Sequence, residues 1–277
     1  MRVTVVGHVE WVEFARVDRV PASGEIAHAN DAFEEPAGGG GVAAVQLARL
    51  AGGAELFTAL GDDDHADRAR KRLGQLGVTA QAAVRAEPTR RALTLVEEGG
   101  ERTIITVGER LAPRRDDPLP WEGLDSVDAV YFTAGDAAAL RAARSARVLV
   151  ATPRAGAALV QAGVEVDALV FSDRDESERA AAVGVEPPPA LLVATQAADG
   201  GRFVTSDGAE GRWEPEPPPG PIVDSYGSGD SFAAALTWAL ADGREPQEAV
   251  RIAARAGAIC LTGRGPYERQ LTADLLS

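Results

Sequence analysis

The stretch Asp224-Ser225-Tyr226-Gly227-Ser228-Gly229-Asp230-Ser231 gathers the residue types that phosphoryl transfer requires. Gly227 and Gly229 let a backbone turn tightly and come close to a ligand. Phe232, Ala235, Leu236, Ala239 and Leu240 follow at the spacing of one buried helix face. The turn therefore opens a helix, whose free N–H groups and positive dipole end can hold an anion. Asp230 sets a carboxylate at the same place. In phosphoryl transfer, amides hold the phosphate and a carboxylate accepts the proton of the attacking hydroxyl. Taken alone, the same residues would also serve as a plain turn with an N-cap.

The elements around this stretch follow from periodicity. Arg2 to Gly7 reads as a buried strand. His8 to Pro36 is polar and aromatic, with a half-exposed strand over Phe14–Val20, a turn at Pro21–Gly24 and a short strand or two around Ile26, His28 and Phe33. That length before the first helix suggests an inserted lid. Gly38-Gly39-Gly40-Gly41 leads into a helix over Val42–Leu50, either for close packing or for backbone approach to a small polar ligand. Glu55–Leu60 and Thr79–Val84 read as strands around a helix over His65–Leu76. Asp62 to Asp64 suit the cap of that helix better than a metal. Ala92–Val96 and Arg102–Val107 form a hairpin across Glu97–Glu101.

From Asp128 the rhythm becomes regular. Strands over 129–133, 148–152, 168–171 and 191–195 alternate with helices over 136–146, 155–162 and 176–183. Such alternation means βαβ units and a parallel sheet, with ligands at the carboxyl ends of its strands. Asp199-Gly200-Gly201 turns into an edge hairpin at Arg202–Thr205. Pro246–Leu261 is a last long helix, and Arg264-Gly265-Pro266 a loop near the same end.

The net charge is −14 over 277 residues. Nucleic acids and anionic membranes are poor partners for such a chain. A single cysteine, Cys260, rules out an intrachain disulfide or a zinc–thiolate cluster. No signal peptide and no membrane-length apolar run is visible, which points to a cytosolic protein. The length suits one α/β domain, residues 1–277, with a lid from about 11–36 and 88–108.

The chain resembles the PfkB, or ribokinase-like, family of carbohydrate kinases along nearly its whole length. Asp224 to Asp230 is similar to that family's D-T-x-G-A-G-D signature. Gly38 to Leu50 resembles its N-terminal glycine-rich signature. Thr89 with Gly100, Glu101, Arg102 and Thr103 resembles its T…G-E-R-T hairpin. Thr195 with Asp199-Gly200-Gly201 resembles its nucleotide segment, with Ala197 in place of the first glycine.

The resemblance implies a three-layer α/β/α sandwich with a mainly parallel sheet and a small β lid over the substrate. It implies ATP as donor, Mg²⁺ riding on the phosphates and, as a further ion, a monovalent cation. Asp230 would be the base, and the amides of Gly227, Ser228, Gly229 and Asp230 an anion hole. ATP would lie along Thr195, Asp199, Gly200 and Gly201, beside Asp224 and Ser225 and the loop around Gly263 and Gly265. A sugar-like acceptor would meet Glu10, Gly39, Gly40, Gly41 and Arg102. Ser172 and Asp175 would serve Mg²⁺ through water, with Asp173 and Glu176 as the shifted alternative. Lid strands would pair two subunits.

Departures concentrate at the substrate end. The family's usual sugar-binding Asp falls on Val12, flanked by Glu10 and Glu13, and its usual Asn falls on Val42. Arg90, Arg91 and Arg102 could meet a substrate phosphate, although Arg on lid strands is ordinarily solvated. The acceptor is thus a sugar or sugar-like alcohol, with a nucleoside or sugar phosphate as the alternative and a non-catalytic binding protein as the rival class.

Overall fold

The computed structural model describes residues 1–276. Val3–Val6 (β1) is β-branched at every position, which stiffens the side chains and favours extended backbone. It is followed by β2 (Glu10–Arg16), β3 (Asp31–Ala37), α1 (Gly38–Ala51), β4 (Ala54–Leu60) and α2 (Asp64–Gln75). Next come β5 (Val78–Val84), β6 (Arg91–Val96), β7 (Arg102–Val107), β8 (Ala129–Phe132), α3 (Ala137–Ala143) and β9 (Val148–Ala151). The chain continues with α4 (Ala157–Ala162), β10 (Ala168–Ser172), α5 (Glu176–Val183), β11 (Leu191–Thr195), β12 (Gly201–Thr205) and β13 (Glu210–Trp213). It ends with α6 (Ser228–Ala241), α7 (Pro246–Cys260) and a short 3-10 turn.

Nine strands form one sheet in the order β13-β12-β11-β10-β9-β8-β1-β4-β5, parallel except for the β12–β13 hairpin at one edge. Both faces are covered. Val3 and Val5 point into a core shared with α1, α2, α6 and α7. Val6 points into a second core with α3, α4 and α5. Strands buried on both faces read as continuous apolar runs, which is why β1, β8 and β9 lack polar alternation. From β1 the chain winds outward in both directions, to β4–β5 and to β8–β11. The switch point lies between β1 and β8, where open α/β sheets bind their ligands at the carboxyl ends.

A second sheet, β3-β2-β6-β7, stands apart from the first. The strand expected over Phe14–Val20 starts and stops earlier, at Glu10–Arg16, because it pairs with β3 in register from Glu10–Ala37 to Arg16–Asp31. The residues around Ile26 and His28 form no strand, and Ile26 is exposed. The four glycines expected to precede α1 form its first turn instead. Asp63 caps α2 by accepting from Ala66 N at 2.9 Å, as its cap reading requires. The helix expected over Ala155–Ala162 is a 3-10 turn at Pro153–Ala155 followed by α4.

Candidate active site

Helix α6 packs against β8 and β9 and beside α1. Its N-cap is Gly227, in the left-handed region at φ 82°, and no side chain caps the helix. Asp230 sits in the first turn, and its side chain makes no hydrogen bond among the described residues, so the capping role is excluded. A Cβ built on Gly39 would stand 3.2 Å from Asp230 Oδ1, which places the carboxylate against the first turn of α1. The two helix starts therefore converge on one point at the carboxyl end of the sheet. Close approach explains the glycines of α1: a Cβ at Gly40 would lie 2.6 Å from His8 O.

Two cavities meet at Asp230. One, of about 210 Å³, is lined by His8, Glu10, Gly38, Gly39, Arg90, Arg102, Ile104, Thr106, Arg110, Arg154, Tyr226, Gly227 and Asp230. The other, of about 80 Å³, is lined among others by Arg102, Thr152, Arg154, Ser172, Glu178, Thr195, Gly227, Gly229 and Asp230. The first opens toward the small sheet and the second toward β10 and β11. Burial raises the Asp230 pKa, and the charges of Arg154 and Arg102 oppose that rise.

The larger cavity carries the guanidinium groups of Arg90, Arg102, Arg110 and Arg154 against the carboxylates of Glu10 and Asp230. His8 adds no positive charge. Burial first, then Arg110, Arg90 and Arg154, push its pKa down to about 3. Its Nδ1 is buried without a partner, as is Arg90 Nε. Glu10 Oε1 lies 3.2 Å from Arg90 Nη1 and 3.5 Å from His8 Nε2. An excess of two positive charges thus sits in one cavity of a chain whose net charge is −14. Unpartnered buried polar atoms are rare in folded proteins, and these two stand beside a cavity.

The turn before α6 is tied on every side. Asp224 is 1% exposed and accepts from Tyr226 N at 2.8 Å and Gly265 N at 3.1 Å. Ser225 O and Oγ accept from Arg102 Nη1 at 3.1 and 2.8 Å, and Ser225 N donates to Gly100 O. Arg16 Nη1 reaches Val223 O at 3.2 Å. The β6–β7 hairpin and β2 therefore hold the backbone that starts α6. Ser228 Oγ donates to Ser225 O at 3.1 Å and closes the turn. Tyr226 Oη accepts from Gly38 N at 3.2 Å, joining the two helix starts.

Of the residues expected to meet nucleotide, Thr195 lines the smaller cavity. Gly200 and Gly201 lie against Trp213 on β13, and exposed Asp199 pairs with Arg174 at 2.8 Å. Gly263 packs against Arg269, and Gly265 against Phe33 of β3. Of the substrate candidates, Glu10, Gly39 and Arg102 line the larger cavity, while Gly40 and Gly41 are buried in packing. Val12 faces the core and Glu13 is exposed, so Glu10 is the acid that reaches the cavity. Val42 packs against Gly227. Ser172 lines the smaller cavity, but Asp175 caps α5 through Ser177 N and Glu178 N. The acid that faces the cavity is instead Glu178, 6% exposed and bonded to Ser172 N at 2.9 Å. Asp173 and Glu176 do not line it.

His8, Arg110, Arg154 and Glu178 were not singled out from the sequence. His8 and Arg154 each follow a strand of the parallel sheet, which is a usable signal. Glu178 lies three residues after Asp175, one helical turn on. Arg110 carries no local signal.

A carboxylate at a helix start, at the switch point of a doubly covered parallel sheet, with a cationic cavity beside it, defines an α/β phosphotransferase. The chain belongs to the pfkB family of carbohydrate kinases, whose family model matches residues 1–273. A relative from Halopiger xanaduensis, named ATP-dependent ribose-1-phosphate kinase, is 31% identical over 306 residues and spans 100% of this chain and 97% of its own. Ribokinase from Thermotoga maritima superposes with a TM-score of 0.77 at 22% identity, over 99% of this chain and 97% of that one. Arabidopsis thaliana ribokinase, complexed with ribose and ATP, gives 0.73 at 20% identity over 95% and 93%. The ribokinase-like α/β fold with its small separate sheet is shared with these structures. No helix among the described residues is long and apolar enough to cross a membrane.

Proposed function

We propose that the protein transfers the γ-phosphoryl group of ATP to a hydroxyl of a phosphorylated sugar. The observation that carries this is the cationic cavity. A phosphate monoester carries about −1.5 to −2 charges at neutral pH, which matches the excess of two positive charges around Glu10 and Asp230. Free ribose would leave that excess of positive charge uncompensated, since of these arginines Glu10 pairs with Arg90 alone, and Arg110 meets only backbone carbonyls among the described residues. The relative named as a ribose-1-phosphate kinase supports the same class of acceptor.

The acceptor's own phosphate would lie against Arg90 and Arg110, with Glu10 and His8 on its hydroxyls. The reacting hydroxyl would face Asp230. Its oxygen forms a bond to the γ-phosphorus as the bond to the β–γ bridging oxygen breaks, and its proton passes to Asp230. ADP and a bisphosphorylated sugar leave. The amides of Gly227 to Asp230 hold the transferring group, and Thr195 lies along the donor side. The small sheet acts as a lid over the acceptor.

Mg²⁺ fits the smaller cavity through oxygen donors. Glu178 and Ser172 are present there, and among the described residues no group of three or more acidic, His or Cys residues forms a cage. Such a sparse set suits an ion that keeps its waters and rides on phosphates. The ion would offset charge on the phosphate oxygens.

We also propose pairing of two copies through β7. It is an edge strand with all six residues exposed, among them Ile104, Ile105 and Val107. Long exposed apolar edges are liabilities unless covered. Equilibrium sedimentation checks this, and a monomer at assay concentrations refutes it.

The deciding experiment is acceptor-dependent ADP release with Mg²⁺-ATP, with and without K⁺, over ribose, ribose 1-phosphate, ribose 5-phosphate and adenosine. A sugar phosphate should exceed free ribose and adenosine in kcat/KM by about 100-fold or more, as expected where a buried charged site is left unpaired by the wrong substrate. Equal or better turnover of an uncharged acceptor refutes the proposal.

A further inference from the structure

Arg154 stands apart from the other cavity arginines. It lies in the 3-10 turn directly after β9, at the carboxyl end of the parallel sheet. Of the two cavities at Asp230, Arg90 and Arg110 line the larger alone, whereas Arg154 lines both, as do Arg102, Gly227 and Asp230. Those residues mark the seam between the two cavities, and a phosphoryl group passing from donor to acceptor must cross that seam. Arg102 is already engaged there, donating to Ser225 O and Oγ and so bracing the turn. Arg154 is held from behind: its Nε lies 2.5 Å from Glu178 Oε1, and its carbonyl accepts from Arg110 Nη2 at 2.9 Å. No other hydrogen bond of its side chain is made among the described residues, and half of the side chain, 52%, is accessible. One edge of a planar guanidinium is thus fixed, and the two terminal amino groups remain for a ligand.

We infer that Arg154 is a catalytic residue that binds the transferring phosphoryl group in the seam, while Arg90 and Arg110 bind the acceptor's resident phosphate. The inference rests on the phosphorylated-sugar reading for the second half only. Charge spread over three equatorial oxygens during transfer is what a preplaced guanidinium stabilises. Glu178 is then a positioning residue, which fixes the Arg154 plane through Nε. Thr152 and Tyr131 complete the wall of the smaller cavity on that side.

The two kinds of arginine separate in steady-state kinetics. With the best acceptor, Arg154→Gln should lower kcat by about 10²–10³-fold, the usual loss of an oxyanion donor. Its acceptor KM should stay within about threefold, because a group used only in the transition state leaves ground-state binding alone. Arg90→Gln should do the reverse, with KM rising about tenfold or more and kcat held. Guanidinium chloride should restore at least about tenfold of kcat to Arg154→Ala, which a merely structural role would not allow. Arg154→Lys keeps the ion pair with Glu178 and serves where Arg154→Gln fails to fold; it should recover only part of kcat, because an ammonium lacks the fork geometry.

A second readout needs no acceptor. Tetrafluoroaluminate with Mg²⁺-ADP mimics the planar transferring group. Calorimetry should find that wild type binds ADP about 10²-fold or more tighter with the fluoride present, and that Arg154→Gln loses this gain while retaining its affinity for ADP alone. An Arg154→Gln loss confined to acceptor KM would assign Arg154 to the resident phosphate and overturn the inference. So would an unchanged fluoride-dependent gain. Failure of every sugar phosphate to react, with the fluoride result intact, would overturn the acceptor class and leave Arg154 in the seam.

Discussion

The two glycines of Gly227-Ser228-Gly229-Asp230 should respond in opposite ways to the same substitution. Gly227 adopts φ 82°, and a Cβ there would meet Val42 Cγ1 at 2.9 Å and Pro266 Cβ at 3.1 Å. An L-residue in the left-handed region costs about 1–2 kcal/mol, and overpacking a rigid site costs about 1–3 kcal/mol. Gly227→Ala should therefore destabilise the protein by about 2–5 kcal/mol. Relief by shifting the turn would move Asp230 and cost about 10²-fold in kcat, the effect of a misplacement near 1 Å. Gly229 is different. It has ordinary helical geometry, and a Cβ there meets no heavy atom within 4 Å. Gly229→Ala should raise stability by about 0.5–1 kcal/mol, the helix propensity gain. It should still lower kcat by about tenfold or more, because the methyl would enter the smaller cavity, where the proposed path of the phosphoryl group runs. Urea unfolding midpoints with unchanged slopes give the stabilities, and ADP release gives kcat. A neutral Gly227→Ala, or a Gly229→Ala that loses stability and keeps kcat, refutes this division of roles.

Asp230→Asn should cost about 10²–10⁴-fold in kcat with ATP affinity unchanged; turnover within a few-fold of wild type removes Asp230 as the base. The pKa of Asp230 is raised, mainly by burial. Activity should therefore fall on the acid side above the ordinary carboxylate value of about 3.9, as the base becomes protonated. Arg154 and Arg102 favour the carboxylate and Glu178 opposes it. Arg154→Gln should thus move the acid limb of kcat/KM to higher pH and Glu178→Gln to lower pH, with the acceptor's own ionisation cancelling between variants; limbs that stay together refute the assignment. Ala197 is exposed with φ 55° and begins the short 3-10 turn after β11. Ala197→Gly should raise Tm by about 1–3 °C, since left-handed strain outweighs the added chain entropy; a lower Tm refutes it.

Much of the frame was legible. The alternation of apolar strands and helices after Asp128 foretold the parallel sheet, because strands buried on both faces need uninterrupted apolar runs. The hairpin at Glu97–Glu101 and the Asp63 cap were legible for local reasons of turn and capping chemistry. The Gly38–Gly41 run misled, because glycine is a poor helix former and reads as a loop. Its place in α1 is set by the end of β1, which leaves no room for a Cβ at Gly40.

What the sequence determined by itself is the chemistry of one end. Gly-Ser-Gly-Asp before an apolar helix specifies a tight turn that opens a helix, with a carboxylate in its first turn, since both properties are local. The other end was decided only by tertiary structure. Arg91 on β6 is exposed, whereas Arg90 one residue earlier enters the cavity, a difference of one strand register. Arg110 and Arg154 reach the same cavity from distant segments, and Glu178 from α5 reaches the adjoining one. Electrostatic fields sum over groups close in space, regardless of their order in the chain. A cationic cavity inside an acidic protein is therefore a property of the fold, invisible in any single stretch of residues.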